Sequence, residues 1–395
     1  MASTGDCREV QRGVLRRLLS LNAESHFGKL HRLNEIRTVA DFRRNLPVAD
    51  YEYYREPIER MKQGDPSALL GPKNRLLMFT LSSGTTSQSK FIPITQQFLD
   101  DYRRGWQVWG INAIDDHPQI SSGQILQLCS DYDRFRTPGN TPCGNISGLV
   151  AAMQKRIVRT MYTIPQVVSK IRDADAKHYT TLRLALADQR IRMVVTANPS
   201  TLIHLAKMAG KYREALIRDI ADGTLSSDFE IGNSIRSGLR RHIARPNRAR
   251  ARFLERLVES TGELTPRDYW PEVELVCVWT GGSAGVYLNS LKQFYGDVPI
   301  RDHGLSASEG RMTIPLHNQQ SEGILDLNTH YYEFIPEQEH DSDNPTVLEA
   351  YELEEGKNYF ILLTTASGLY RYDICDVVRC VGFYQTTPML EFLHK

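Results

Sequence analysis

The most informative segment of the chain is Phe79-Thr80-Leu81-Ser82-Ser83-Gly84-Thr85-Thr86-Ser87-Gln88-Ser89-Lys90-Phe91-Ile92-Pro93-Ile94-Thr95. Apolar residues from Leu76 to Leu81 predict a short buried strand, and the small and polar residues after them predict a loop. Hydroxyl groups, a glycine, backbone N–H groups and the charge of Lys90 are what a phosphate chain needs. The spacing is not the GxxxxGK[ST] pattern of the mononucleotide P-loop. At this point, an exposed polar turn and a phosphate-binding loop are both open.

Length and charge restrict the class of protein. A chain of 395 residues holds either several cores or one large composite α/β domain. Lys and Arg number 48 and Asp and Glu 47, so the net charge of +1 argues against nucleic acid or an anionic membrane as the main partner. The N-terminus shows no signal peptide, and no apolar run approaches the ~18 residues that a membrane span needs. Six cysteines without a CxxC pair predict thiols in a reducing compartment, which we expect to be the cytoplasm.

Arginines are concentrated between residues 236 and 256, where a polyanion-binding patch is one interpretation. Apolar residues recur at helical spacing in the same region, at Ala249, Phe253, Leu254 and Leu257. Because the overall charge is balanced, the sequence favours a solvated helix face over nucleic-acid binding.

Two further strand patterns also end in small residues. Val273–Trp279 runs into Thr280-Gly281-Gly282-Ser283, and Val298–Arg301 runs into His303-Gly304-Leu305-Ser306-Ala307-Ser308-Glu309-Gly310. Strands that end in such loops before helices predict an α/β sheet with a ligand at the carboxyl ends of its strands. Helices are predicted at residues 8–21, 51–62, 95–113, 164–174 and 181–187, a long functional loop at 130–148, and a β-rich section toward the C-terminus.

Ser308 alone supports a second hypothesis. The sequence Ser306-Ala307-Ser308-Glu309-Gly310 nearly matches the GxSxG nucleophile elbow, with a serine in place of the first glycine. An esterase-like hydrolase could complete a triad from the downstream residues Asp326, His317, His330 and His394. That hypothesis gives no role to the 82–90 loop or to the Gly281-Gly282 turn.

Taken together, three pieces resemble the auxin-responsive Gretchen Hagen family of acyl acid–amido synthetases, relatives of the acyl-adenylate-forming ligases. The first is Ser82-Ser83-Gly84-Thr85-Thr86 followed by Lys90, and the second is Leu305-Ser306-Ala307-Ser308-Glu309. The third is Tyr370-Arg371-Tyr372 leading to Cys375-Asp376. The three occur in the family's order, and the similarity runs along most of the chain.

The resemblance implies a fold and a division of the chain. The expected fold is a large adenylate-forming-type α/β domain, with mixed sheets layered by helices and a β-rich, barrel-like C-terminal section. Residues 1–75 would form a helical part, residues 76–310 the nucleotide-binding α/β part, and residues 311–395 the β-rich part ending at a hinge. Family members continue into a smaller C-terminal domain, which this sequence lacks and which would have to be supplied separately.

The implied reaction is the ATP- and Mg²⁺-dependent activation of a carboxylic acid as an acyl-adenylate, followed by transfer to an amine, most simply an amino acid. By the resemblance, Lys90, Ser308 and Glu309 are catalytic, and Glu309 binds Mg²⁺. The residues expected to contact ATP are Ser82, Ser83, Gly84, Thr85, Thr86, Lys90, Gly281, Gly282, Ser283, Leu305, Ser306 and Asp376. Among them, Gly281 and Gly282 would approach the adenine, and Asp376 would accept hydrogen bonds from the ribose.

Some features depart from the pattern or stay open. Leu305 stands where many family members carry an aromatic residue, and Cys375 replaces a frequent glycine. The tyrosines 370 and 372 are expected to pack in a sheet. Candidates for the acid pocket are Trp106, Ile146, Ser147 and Leu149, and His303 is a positional candidate for the general base. A catalytically incomplete, nucleotide-binding homologue is the alternative outside enzymes.

Overall fold

The computed structural model describes residues 2–82 and 89–395. Its helices, in chain order, are α1 (Cys7–Asn22), α2 (His26–Leu30), α3 (Val39–Asn45), α4 (Tyr51–Lys62), α5 (Gln96–Asp116), α6 (Ile146–Ala152), α7 (Arg156–Arg159), α8 (Ala174–Ala187), α9 (Pro199–Lys211), α10 (Arg213–Asp222), α11 (Asn233–Ile243), α12 (Arg248–Thr261), α13 (Pro266–Tyr269) and α14 (Leu288–Tyr295).

Its strands are β1 (Leu76–Ser82), β2 (Lys90–Thr95), β3 (Gln124–Gln127), β4 (Phe135–Arg136), β5 (Pro142–Gly144), β6 (Ile191–Val195), β7 (Leu275–Cys277), β8 (Ile300–Arg301), β9 (Ser306–Ala307), β10 (Gly310–Arg311), β11 (Thr313–Ile314), β12 (Gly323–Leu325), β13 (Tyr331–Pro336), β14 (Leu348–Glu349), β15 (Asn358–Thr364), β16 (Tyr372–Tyr384) and β17 (Thr387–His394).

A parallel sheet with the order β3-β6-β7-β8 lies between two layers of helix. One face buries Leu126, Val194 and Val276 against helices that include α8, α9, α10 and α12. The other face buries Met193 and Leu275 against α5. Parallel strands that are covered on both faces have continuous apolar sequences, and for this reason the sequence predicted β7 and β8 correctly.

The segment 76–95 forms a strand pair. Strands β1 and β2 are antiparallel, and Ser82 pairs with Lys90. They belong to a sheet with the order β2-β1-β5-β4. Thr95 ends β2 and caps the next helix, because its Oγ1 accepts a hydrogen bond of 3.2 Å from the N–H of Phe98. The predicted strand and the predicted helix start are confirmed.

The C-terminal part is an antiparallel sheet with the order β11-β12-β17-β16-β15-β13-β14. Helices α1, α3 and α4 share its hydrophobic core, which includes Phe42, Tyr54, Tyr331, Tyr370 and Tyr372. The predicted β-rich section is therefore confirmed, and the two motif tyrosines pack in the core as expected.

Two local predictions were wrong. The helix predicted over residues 164–174 is only a 3₁₀ turn at Gln166–Lys170. The following α-helix begins at Ala174, because the Asp173 side chain accepts a 2.7 Å hydrogen bond from the N–H of Ala176 and sets the cap there. The predicted loop 130–148 contains the strand pair β4–β5 and the start of α6.

The arginine-rich segment forms α11 and α12. Arg236 donates to the backbone carbonyls of Leu225, Ser226, Phe229 and Ile231, and buried Arg250 donates to those of Leu186 and Tyr269. These two arginines hold neighbouring segments together, in keeping with a structural helix face. Among the described residues, no helix has the length and apolarity that crossing a bilayer requires.

Candidate active site

Asp376 leaves the regular path of β16. The pairing of β15 with β16 moves from Phe360–Val377 to Leu362–Asp373, so Ile361 alone lies opposite residues 374–376. Cys375, within this irregularity, has a φ of +60°, a conformation that glycine adopts most readily. Asp376 is nonetheless buried, and one of its carboxylate oxygens lies 3.8 Å from the Lys395 ammonium nitrogen at the end of β17.

Glu309 lies at the turn of the short hairpin β9–β10, in which Ser306 pairs with Arg311 and Ala307 with Gly310. The Glu309 side chain is buried, whereas Ser306 is exposed and Ser308 is half-buried. Leu305 precedes the hairpin and is buried in the core. Gly310 is required sterically, because a Cβ there would lie 2.6 Å from Nε2 of buried His330. The hairpin therefore presents a carboxylate at a turn.

Charges from distant parts of the chain meet around these two carboxylates. Burial raises the pKa of Glu309, while the charges of Lys395 and Lys90 oppose the increase. Burial also raises the pKa of Asp376 to about 6, and the nearby charge of Glu309 adds to it. Tyr372 completes the group, with a hydroxyl that has no hydrogen-bond partner within the described residues.

Two carboxylates and two lysines make up the charged part of this group, and together they could bind a nucleotide and a hard cation. They are Glu309, Asp376, Lys90 and Lys395. Two buried carboxylates that repel each other are destabilised in their ionised form, and a divalent cation with a preference for carboxylate oxygen would relieve that repulsion. The two lysines would face phosphate oxygens. The residues present therefore fit Mg²⁺ bound by Glu309 and a nucleotide beside Asp376.

The loop after β7 is anchored to the loop after β8. The Oδ2 atom of Asp302 accepts hydrogen bonds of 2.5 Å from both the N–H and the hydroxyl of Thr280, and its Oδ1 accepts one of 2.6 Å from the N–H of Gly304. Gly282 has a φ of +55°, and a Cβ there would lie 3.1 Å from the Phe392 ring. This contact places the Gly281-Gly282 turn against the end of β17. Val377 of β16 pairs with His394 of β17, so the residues that adjoin this pair, Asp376 and Lys395, lie at the same end of the strands.

Most of the predicted phosphate-binding loop lies outside the described residues. The predicted site residues that fall there are Ser83, Gly84, Thr85 and Thr86, together with the side chain of Ser82. Lys90, at the other end of the loop, has its ammonium nitrogen 5.8 Å from the centre of the Tyr51 ring. A cavity of about 860 Å³ is lined by the loop's described flanks, Leu81 and Ser89, and by several cations. These cations are Arg134, Lys170, Arg172 and Lys177.

The candidates for the acid pocket fall into two groups. Trp106 packs with Trp109, His303 and Arg311 at the carboxyl end of the parallel sheet. Leu149 and Ile146 instead pack with the core of the C-terminal sheet, and the hydroxyl of Ser147 accepts a hydrogen bond from the N–H of Ser130. Trp106 and the 146–149 group therefore belong to different hydrophobic clusters.

The hydrolase hypothesis lacks its structural context. A nucleophile elbow is a sharp turn from a strand into a helix, whereas Ser308 lies in a strand-to-strand hairpin. Burial lowers the pKa of His330 to about 3, and its ring packs against Phe98. His394 lies instead 3.3 Å from Glu337. Among the described residues, Ser308 makes no hydrogen bond to His317, His330 or His394, and His317 is exposed.

Sequence reasoning missed Asp302 and Lys395. Asp302 directly precedes the positional base candidate His303, and an acidic residue at the end of a strand is a signal that could have identified it. Lys395 carries no motif, because its place beside Asp376 comes from the pairing of Val377 with His394. Burial lowers the pKa of His303 to about 4, so this imidazole is neutral at pH 7.

Asp376 should give the protein a specific pH dependence. Because the folded pKa, about 6, exceeds the ordinary value of 3.8, the wild type loses stability as the pH rises through about 6. Asparagine does not titrate. The free energy of unfolding of Asp376→Asn, relative to that of the wild type, should therefore increase by about 2 kcal/mol from pH 4 to pH 7. Urea unfolding at both pH values measures the difference; an unchanged difference would contradict the burial of this carboxyl.

Comparison with solved structures identifies the class of fold. The structure superimposes on 2-hydroxyisobutyryl-CoA ligase in complex with 2-HIB-AMP and CoA, with a TM-score of 0.53, at 12% identity and over 98% of this chain and 66% of the ligase chain. It also superimposes on GH3.15 acyl acid amido synthetase, with a TM-score of 0.86, at 22% identity and over 99% of this chain and 68% of the other. The protein thus has the fold of adenylate-forming ligases.

The family follows from the sequence comparisons. Residues 1–300 match the GH3 family N-terminal domain, and residues 323–395 match the GH3 family central domain. The chain therefore belongs to the GH3 family. It is 26% identical to indole-3-acetic acid-amido synthetase GH3.4 of Arabidopsis thaliana over 98% of this chain and 66% of that protein. It is 25% identical to jasmonoyl-L-amino acid synthetase JAR4 of Nicotiana attenuata over 99% of this chain and 69% of that protein. The chain thus spans about two thirds of the length of these relatives.

Proposed function

We propose that the protein activates a carboxylic acid with ATP, as an acyl-adenylate, and conjugates the acyl group to an amine, in the simplest case an amino acid. The observation that carries the proposal is the buried pair Glu309 and Asp376, with Lys90 and Lys395 around it. Membership of the GH3 family supports it, since the relatives are named as amido synthetases.

The first half-reaction forms a bond between an oxygen of the acid and the α-phosphorus of ATP. The bond from that phosphorus to the bridging oxygen of the β-phosphate breaks, and pyrophosphate leaves with the electron pair. In the second half-reaction the amine nitrogen attacks the acyl carbon, AMP leaves, and a proton passes from the nitrogen to a base. Negative charge accumulates on phosphate oxygens in the first step, so nearby cations lower its barrier.

Each candidate residue has a role that its environment supports. Lys90 would hold phosphate oxygens, and Glu309 would hold Mg²⁺, whose charge stabilises the phosphates when it is bound. Asp376 would accept hydrogen bonds from the ribose, which requires its ionised form. Gly281 and Gly282 would let the backbone approach the adenine, and Ser283, Leu305 and Ser306 would contribute further contacts to the nucleotide. Serine 308 would donate to a phosphate oxygen.

The cellular setting is also proposed. All six cysteines are unpaired in the described part of the chain, which agrees with a reducing compartment and so with the cytoplasm. The partners would be a small carboxylic acid and an amine or amino acid, with the family's C-terminal domain as a further possible partner.

Lys90→Ala tests the phosphate role. We expect acid-dependent exchange of labelled pyrophosphate into ATP to fall by about 10- to 100-fold, because one preorganised charge is lost. Lys207→Ala, at an exposed lysine on α9, is the matched control and should leave the exchange unchanged. Exchange by Lys90→Ala at the rate of the control would contradict the role. Nucleotide binding by the wild type without exchange with any acid would contradict the proposed function.

A further inference from the structure

The backbone that carries Asp376 is not held by the strands beside it. Among the residues that the structure describes, neither the pairing of β16 with β15 nor its pairing with β17 includes residues 374–376. Within this segment Cys375 has a φ of +60°, a conformation that costs free energy for a residue with a Cβ. Contacts other than the strand ladders must therefore fix the position of Asp376.

The Asp373 side chain supplies one such contact. Its Oδ1 accepts a hydrogen bond of 2.7 Å from the N–H of Cys375, two residues further along the chain. A carboxylate that accepts from the backbone two residues on forms an Asx turn, which fixes the local path of the chain. The N–H of Asp373 donates at 2.9 Å to the carbonyl of Ala49, so the start of the turn is anchored as well.

His340 holds the Asp373 carboxylate from the other side. Its Nε2 lies 2.7 Å from Oδ2 of Asp373, and this nitrogen carries the proton because an ionised carboxylate only accepts. The imidazole ring stacks on the Phe360 ring, with 3.6 Å between the ring centroids and 16° between the planes. Each oxygen of the buried Asp373 carboxylate thus has a partner, and the carboxylate has little freedom to rotate.

Asp376 lies at an open edge of the candidate site. The preceding residue, Cys375, is exposed, and the Lys395 side chain near the carboxylate is 53% exposed. A ribose can therefore approach the Asp376 carboxylate on this side. A hydrogen bond to a carboxylate requires a short distance and a near-linear angle, so a shift of the turn at Cys375 would weaken it.

We propose that Asp373 and His340 are positioning residues for nucleotide binding, an inference that rests on the proposed function, in which Asp376 binds the ribose. They hold Cys375 in its left-handed conformation and thereby keep the Asp376 carboxylate where the ribose hydroxyls of ATP bind. In this role neither residue needs to touch the nucleotide, because each acts through the backbone of residues 374–376.

The charge of Asp373 has the opposite effect from its geometry. Burial is the main cause of the raised pKa of Asp376, and the negative charge of Asp373 contributes to it. Removal of that charge would favour the ionised form of Asp376, and so would favour a hydrogen bond from the ribose. A loss of ribose recognition on replacement of Asp373 would therefore come from a displaced Asp376, since the lost charge alone predicts a gain.

Calorimetric titration, with Mg²⁺ and without any acid, measures recognition of the ribose. One preparation of each variant is titrated with ATP and with the dideoxy analogue that lacks both ribose hydroxyls, and the ratio of the two Kd values is the ribose preference. The ratio does not depend on the fraction of folded protein, because both nucleotides bind the same active molecules. We expect the wild type to bind ATP about 10- to 100-fold more tightly than the analogue.

Three variants locate the source of this preference. Asp373→Ala should lower the ribose preference about tenfold, and His340→Ala should lower it less. Asp373→Asn should keep most of it, because the amide oxygen still accepts from the N–H of Cys375. Asp341→Ala is the matched control, since this exposed carboxylate lies 3.6 Å from Nδ1 of the same histidine, and it should leave the preference unchanged.

Cys375→Gly should rescue the loss. Glycine adopts a left-handed conformation without help from a neighbouring side chain, so the double variant Asp373→Ala with Cys375→Gly should recover about threefold or more of the lost preference. If Asp373 only stabilised the sheet, Asp373→Ala would unfold at lower urea concentration and keep the wild-type ratio. An unchanged ratio in Asp373→Ala, or a loss that the glycine does not repair, would overturn the inference.

The titrations also separate this inference from the proposed function. A ribose preference that falls in Asp373→Ala and returns with Cys375→Gly, in a protein that shows no pyrophosphate exchange with any acid, would support the inference and overturn the proposed function. Exchange by a wild type that binds both nucleotides equally would support activation of an acid and overturn the inference.

Discussion

Glu309→Gln should lower acid-dependent pyrophosphate exchange by about 10²- to 10³-fold, because a carboxylate at the centre of the phosphate-binding group is replaced by a neutral amide. Glutamine has nearly the same shape, so the hairpin β9–β10 should keep its pairing. The mutant should bind nucleotide in a way that depends less on Mg²⁺ than the wild type does. Exchange assays across a range of Mg²⁺ concentrations measure both effects.

The same substitution should leave stability unchanged or raise it. Burial raises the pKa of Glu309, so its ionised form is destabilised in the folded protein and an uncharged isostere removes that cost. Glu255→Gln, at an exposed residue of α12, is the control that should change neither property. If the mutant's exchange activity fell only as much as its fraction of folded protein, Glu309 would have a structural role and not a catalytic one.

The parts of the site that depend on local pattern could be predicted from the sequence. An apolar run that ends in small residues indicates a strand followed by a binding loop, and this pattern identified β1, β7 and β8. Glu309 and Asp376 could be named because each stands in a motif that resembles the family's. The structure adds that the two carboxylates are close enough to influence each other's pKa, and their roles toward Mg²⁺ and the ribose are predictions.

The packing of Arg311 with Trp106 and Asp326 could not be predicted, because these residues have no local signature. Arg311 follows Gly310 in an ordinary strand pattern, and Asp326 ends another strand in a different sheet. Both side chains pack closely against Gly105 of α5, where a Cβ would lie 2.9 Å from Oδ2 of Asp326 and 3.0 Å from Cδ of Arg311. A glycine inside an otherwise apolar helical pattern was the available signal, since such glycines usually have a packing or functional reason.

The motif Tyr370-Arg371-Tyr372 has a structural role that leads to the second large prediction. Glu333, on β13, is 1% exposed and accepts hydrogen bonds of 2.9 Å from Arg371 and 2.8 Å from Arg43 of α3. Arg371 also donates to the carbonyl of Leu46 at 2.7 Å. One buried carboxylate therefore joins an N-terminal helix, the centre of the C-terminal sheet and the segment that leads to Asp376.

Glu333→Gln should lower the free energy of unfolding by about 3–5 kcal/mol, because it leaves the guanidinium of buried Arg371 without its counter-charge. Urea denaturation measures the loss, and Glu52→Gln, at an exposed residue that pairs with Arg55, should show little change by comparison. The double variant Glu333→Met with Arg371→Met should be less destabilised than the sum of its single variants, because it removes both charges at once. Additive losses would mean that the two residues stabilise the sheet separately. Coupled losses would mean that Glu333 and Arg371 stabilise the fold as one buried ion pair.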